Sequence, residues 1–82
     1  MKMHYYEFEF LAPWGNPTVY FVKTEQTCLV AIPSWNWCQL LKDRSSPEGW
    51  IQLMVTSLHT KLGIKNANVL ADLICFHVMN EL

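Results

Sequence analysis

Apolar residues recur at every second position through HYYEFEF, residues 4–10. Tyr6, Phe8 and Phe10 fall on one side of an extended chain, and Tyr5, Glu7 and Glu9 on the other. A period of two predicts a half-buried strand. Turn formers crowd APWGNP at 12–17 and predict a loop. TVYFVKT at 18–24 is β-branched and aromatic, which predicts a second strand. EQ at 25–26 makes a short connection to a third, TCLVAI at 27–32, ended by Pro33. Short connections between successive strands favour an antiparallel meander.

After Pro33 the pattern reads as helix. Ser34 is a residue of the N-cap type and predicts a short helix over about 35–43. Ser46 as cap, Pro47 at the first helical position and Glu48 at the positive helix end predict a second over 47–62, closed by Gly63. Its apolar positions 50, 51, 54, 55, 58 and 62 make one stripe, with Leu53 off it. IKNAN leads into a last helix over about 67–81. Leu70, Leu73 and Ile74 form one face of it, but Val69, Cys75, Phe76, Val78 and Met79 carry the apolar character nearly all round. Such a helix is covered on several sides: either it lies centrally on the sheet, or its outer side meets another chain. The fold class expected is α+β, a three-stranded antiparallel meander sheet followed by two or three helices packed on one face, in a single domain.

Composition adds a surplus of apolar surface. Of 82 residues 51% are apolar and 16% charged, against about 25% charged in typical domains. A chain this short buries only about 60–65% of its unfolded surface. Apolar surface left exposed points to a partner or to self-association. Net charge is −1, and the six basic residues, Lys2, Lys23, Lys42, Arg44, Lys61 and Lys65, are dispersed. They offer no stripe to neutralise several phosphates together, so nucleic acid is not an expected partner. Three cysteines, Cys28, Cys38 and Cys75, do not make the even framework of a small secreted domain. MKMHYYEFEF lacks the apolar stretch of a signal peptide, and no apolar run approaches a membrane span. The expectation is a cytoplasmic protein with reduced thiols and no membrane association.

No motif carries chemistry. Cys75 and His77 are two apart, about 200° around a helix, and cannot grip one ion together. Neither the spacing of Cys38 or Cys28 to His59 nor that of His4 to any other ligand type calls for nucleophilic or metal chemistry. Glu7 and Glu9 read as the solvated face of a strand, and Gly15, Gly49 and Gly63 are too isolated to cradle phosphate. No metal, no cofactor and no enzyme activity are expected.

The tryptophans of SWNWCQLL at 34–41 are the sharpest local feature. In a helix Trp37 shares the core side with Cys38, Leu40 and Leu41, and Trp35 faces out with Gln39 and Lys42. An exposed Trp is typical of binding hot spots. The candidate partner-binding residues are Trp35, Trp14, Tyr5, Leu53, Phe76 and Met79. The function expected is a small non-enzymatic protein-binding module: an inhibitor of a host or partner protein, like phage or mobile-element anti-defence proteins such as anti-CRISPR proteins, or like immunity proteins. That parallel rests on size and lack of motifs alone. The competing classes are a self-assembling subunit, a homodimer in the simplest case, and a small-ligand domain between sheet and helices.

Overall fold

β1 (Lys2–Tyr6), β2 (Val19–Lys23), β3 (Thr27–Ile32) and β4 (Trp37–Lys42) form one antiparallel sheet in the order β1-β2-β3-β4. Two long helices follow, α1 (Pro47–Leu62) and α2 (Ile64–Glu81). The fold class is α+β. In this computed structural model residues 2–42 and 46–81 are described, and the chain divides into two compact units, Met1–Asp43 and Arg44–Leu82.

In the sheet unit, register sets the faces. Tyr6 pairs with Val19, and Phe21 with His4 and Val30. Cys28 pairs with Leu41, and Ile32 with Trp37. Directly paired residues share a face, so these lie together, and Val19, Phe21, Val30, Ile32 and Leu41 are fully buried. Two residues, Glu25 and Gln26, turn β2 into β3. The flanking Thr24 and Thr27 close the turn, their hydroxyls 2.7 Å apart and the Thr24 N–H donating to the Thr27 carbonyl at 2.8 Å.

The first strand is shorter than its alternation predicts. It ends at Tyr6, and Glu9–Trp14 forms a 3-10 helix with Leu11 fully buried. Pro13 inside that segment has no N–H for a ladder. Gly15 (φ 89) and Asn16 (φ 55) then take left-handed conformations, donating to the carbonyls of Ala12 and Leu11. Glu9 consequently opens the 3-10 helix instead of sharing a strand face with Glu7, although both are exposed.

The helix expected over 35–43 is a strand instead. Residues 33–36 are the turn of a β3–β4 hairpin: Pro33–Trp35 make one turn of 3-10 helix, and Asn36 (φ 53) reverses the chain, its N–H donating to the Pro33 carbonyl at 2.9 Å. Asn tolerates this conformation better than other non-Gly residues. Six register pairs with β3 then satisfy β4, and the Ser34 cap is overridden. In a strand Trp37, Gln39 and Leu41 share the covered side, while Cys38 and Leu40 point the other way, so the grouping of Cys38 and Leu40 with Trp37 is corrected. The sheet therefore has four strands, not three.

The helical unit follows its sequence signals closely. The Ser46 hydroxyl accepts from the Gly49 N–H at 3.2 Å and Pro47 is the first helical residue. Trp50, Met54, Leu58 and Leu62 are buried, Ile51 and Val55 half-buried, and Leu53 exposed. Gly63 (φ 81) is the entire connection to α2, which begins at Ile64, so the residues expected to connect the helices are its first turn. The two helices pack against each other. α2 buries Ala67, Leu70, Ala71, Ile74, Cys75, His77 and Val78.

Candidate functional site

Four of the apolar residues that α2 does not bury, Val69, Leu73, Phe76 and Met79, converge on one groove, while Ile64 at the start of the helix lies outside it. Val69, Leu73 and Phe76 follow each other at spacings of four and three, which places them along one side of the helix. With Met79 they face Pro47 and Ile51 on the first turns of α1. The groove has a volume of about 520 Å³. Phe76 is 68% exposed and Met79 60%. Asp72 is the one charged residue among those lining it.

Cys75 closes the groove floor. It is buried, and its thiol points at the Met79 sulfur 3.9 Å away. Burial pushes the thiol above its ordinary value, and the charges of Asp72 and Glu48 push it further. A thiol held protonated is a poor nucleophile, so this cysteine serves as a small apolar surface. His59 is likewise committed locally: its Nδ1 lies 2.8 Å from the Thr56 carbonyl and 3.2 Å from that of Val55. Among the described residues no group of three or more His, Cys, Asp or Glu stands together as a metal site. No helix among them is long and apolar enough to cross a membrane.

The sheet unit presents a second apolar surface. Opposite the covered face, Met3, Val22, Leu29 and Leu40 pair in one row across all four strands. Tyr5, Tyr20, Ala31 and Cys38 pair in the next. None of these eight is charged. Met3 is 70% exposed and Tyr5 62%, and the Tyr5 and Tyr20 rings stack with centroids 6.2 Å apart. At one end of this face Tyr5, Tyr6, Tyr20, Glu7 and Thr18 line a hollow of about 420 Å³, where the Thr18 hydroxyl donates to Glu7 at 3.3 Å.

Of the residues expected at a binding surface, Phe76 and Met79 meet in the groove and Tyr5 lies on the open sheet face. Leu53 is exposed on α1 away from the groove lining. Trp14 ends the 3-10 helix, half-buried beside Phe10 at 5.7 Å between centroids. Trp35 sits in the β3–β4 turn, and both it and Trp37 are half-buried, in place of one outward and one inward ring. Sequence reasoning did not single out Ile51, Val69 and Leu73, or Met3, Tyr20 and Leu40. A signal was present for Tyr20 and the central strands: TVYFV and TCLVAI are apolar at both parities, which marks strands that call for cover on both faces.

Comparison with known proteins gives a match to one family model, described as YueH-like protein, over residues 15–80. That span holds β2, β3, β4, α1 and nearly all of α2. No curated protein and no solved structure matches.

Proposed function

The chain belongs to the YueH-like family, and we propose that it is a small non-enzymatic module whose α1–α2 groove receives an apolar segment of another protein. The observation that carries this reading is the pair Phe76 and Met79, both well exposed on a helix that has its own buried face. Leaving two large apolar side chains in water lowers the solubility of a small chain, and such patches mark interaction sites. Met is also adaptable in shape, which suits a surface that accepts a side chain from elsewhere.

The walls of the groove are helices with satisfied backbones, so the fitting ligand is a third helix laid into it, not an added strand. Its anchors would recur at spacings of three and four. Asp72 at the groove, with Glu48 close enough to act on the same thiol, favours a basic residue on the incoming segment. Occupying a partner's helix in this way would make the module an inhibitor or adaptor of that partner, acting in the cytoplasm.

The test is co-purification from native host cells with three baits: the parent chain, Phe76→Lys/Met79→Lys, and Leu53→Lys. A partner retained by the parent and by Leu53→Lys but lost by the groove variant, and crosslinked through position 73 or 76, supports the reading. A partner captured equally by all three removes the groove from it.

A further inference from the structure

We infer that the open face of the sheet is a homodimer interface, in which two copies of this chain pack sheet against sheet. This surface shares no residue with the groove, and the two assignments stand or fall separately.

Side-chain size across the face carries the inference. The row from β1 to β4 runs Tyr5, Tyr20, Ala31, Cys38: two large residues, then two small ones. A two-fold axis parallel to the strands, between β2 and β3, lays β1 over β4 of the second copy and β2 over β3. Each Tyr5 then stands over Cys38 of the other copy, and each Tyr20 over Ala31. The size gradient is thus its own complement, which an isologous contact requires. Met3, Val22, Leu29 and Leu40 in the neighbouring row are of middling size throughout and fit the same operation. Sheets stacked face to face keep their strands within about 30° of parallel, which this axis allows.

Charge permits this contact, and area limits its strength. These two rows carry no charge, so none is desolvated where they meet, and Lys42, paired with Thr27 in the next row, stands at the edge of the face. At a net charge of −1 per copy the approach of two chains meets little long-range repulsion. Four strands about 4.8 Å apart, by five residues of about 3.4 Å each, give a footprint of about 19 by 17 Å, or about 330 Å² in projection. Two copies together fall below the roughly 1,200 Å² of a standard interface. The dimer is therefore a weak one, with dissociation in the micromolar range or above.

The experiment follows mass by sedimentation equilibrium from low to several hundred micromolar, with Cys38 alkylation as a second readout. Cys38 is exposed, whereas Cys28 and Cys75 are buried and act as internal controls. The expected result is a monomer that becomes a dimer as concentration rises, with Cys38 alkylation slowing in step. Leu40→Lys, Cys38→Tyr and Tyr5→Cys each change an exposed position, and each raises the dissociation constant tenfold or more. The exchange Tyr5→Cys/Cys38→Tyr puts large over small again and restores association. Phe76→Lys leaves it unchanged. Circular dichroism verifies that each variant is folded. A chain that stays monomeric throughout overturns the inference, as does a dimer in which Cys38 alkylates at an undiminished rate, the result expected of edge-to-edge pairing. Association lost with Phe76→Lys but kept with Leu40→Lys overturns it too, by moving the contact to the helices.

Discussion

Trp37 stands directly across from Ile32, and residues 33–36 between them make the whole β3–β4 turn. Asn36 holds that turn with φ 53. Asn36→Gly should change stability by no more than about 0.5 kcal/mol. Asn36→Val forces a β-branched residue into the left-handed region and should cost about 1–2 kcal/mol or more. Urea unfolding of the two variants checks this; equal stability would show that the turn does not depend on the residue at 36.

Phe21 and Phe76 are the same side chain in opposite surroundings, one fully buried and one largely in water. Phe21→Ala should lose about 3–5 kcal/mol, most of what so small a domain has. Phe76→Ala should stay within about 0.5 kcal/mol of the parent. Thermal unfolding separates them, and a stable Phe76→Ala is what makes position 76 usable as a probe of binding.

The start of α1 is capped by a side-chain hydrogen bond, from the Gly49 N–H to the Ser46 hydroxyl. Ser46→Ala should destabilise by about 1 kcal/mol and Ser46→Asp should keep most of the parent stability. Denaturant midpoints of the three proteins give the comparison.

Cys75 should make stability fall at alkaline pH. Burial first, then Asp72 and Glu48, raise its thiol above the ordinary value of 9.0. The folded chain therefore binds this proton more tightly than the unfolded chain. The associated stability is complete below the unfolded pKa and is lost as pH climbs through the raised folded value. Cys75→Ala should remove that part of the decline in a series of unfolding curves under reducing conditions. Asp72→Asn, by lowering the thiol back toward its ordinary value, should speed Cys75 alkylation at mildly alkaline pH while leaving Cys38 unaffected.

Where a local signal and the tertiary structure agreed, the sequence was sufficient. Ser46, Pro47 and Gly63 mark the ends of α1, and the stripe from Trp50 to Leu62 gives its buried side. Glu25 and Gln26 mark the β2–β3 turn. Where a local signal competed with pairing across strands, pairing prevailed. Ser34 after Pro33 has the chemistry of a helix start, but WCQLLK is also compatible with alternation, and β3 offered it a ladder of partners. The segment at 8–10 failed in the other direction: its alternation continued past the point where β2 could pair with it. The groove was half legible. Phe76 and Met79 stand out because α2 is apolar all round, but their neighbours Ile51 and Leu73 look like ordinary core residues until the helix pair brings them together. The open sheet face was hidden because its rows run across four strands, and one of those strands was read as a helix.

Every strand pairs only with its neighbour along the chain, and α2 turns back on α1 after a single residue. Within each unit the partners are therefore close in sequence, and little loop entropy has to be lost before a contact forms. Folding speed follows that closeness more than it follows stability, with local topologies reaching the native state in milliseconds or less. The sheet unit is also complete in the first half of the chain. During synthesis its four strands can pair while the helices are still being made.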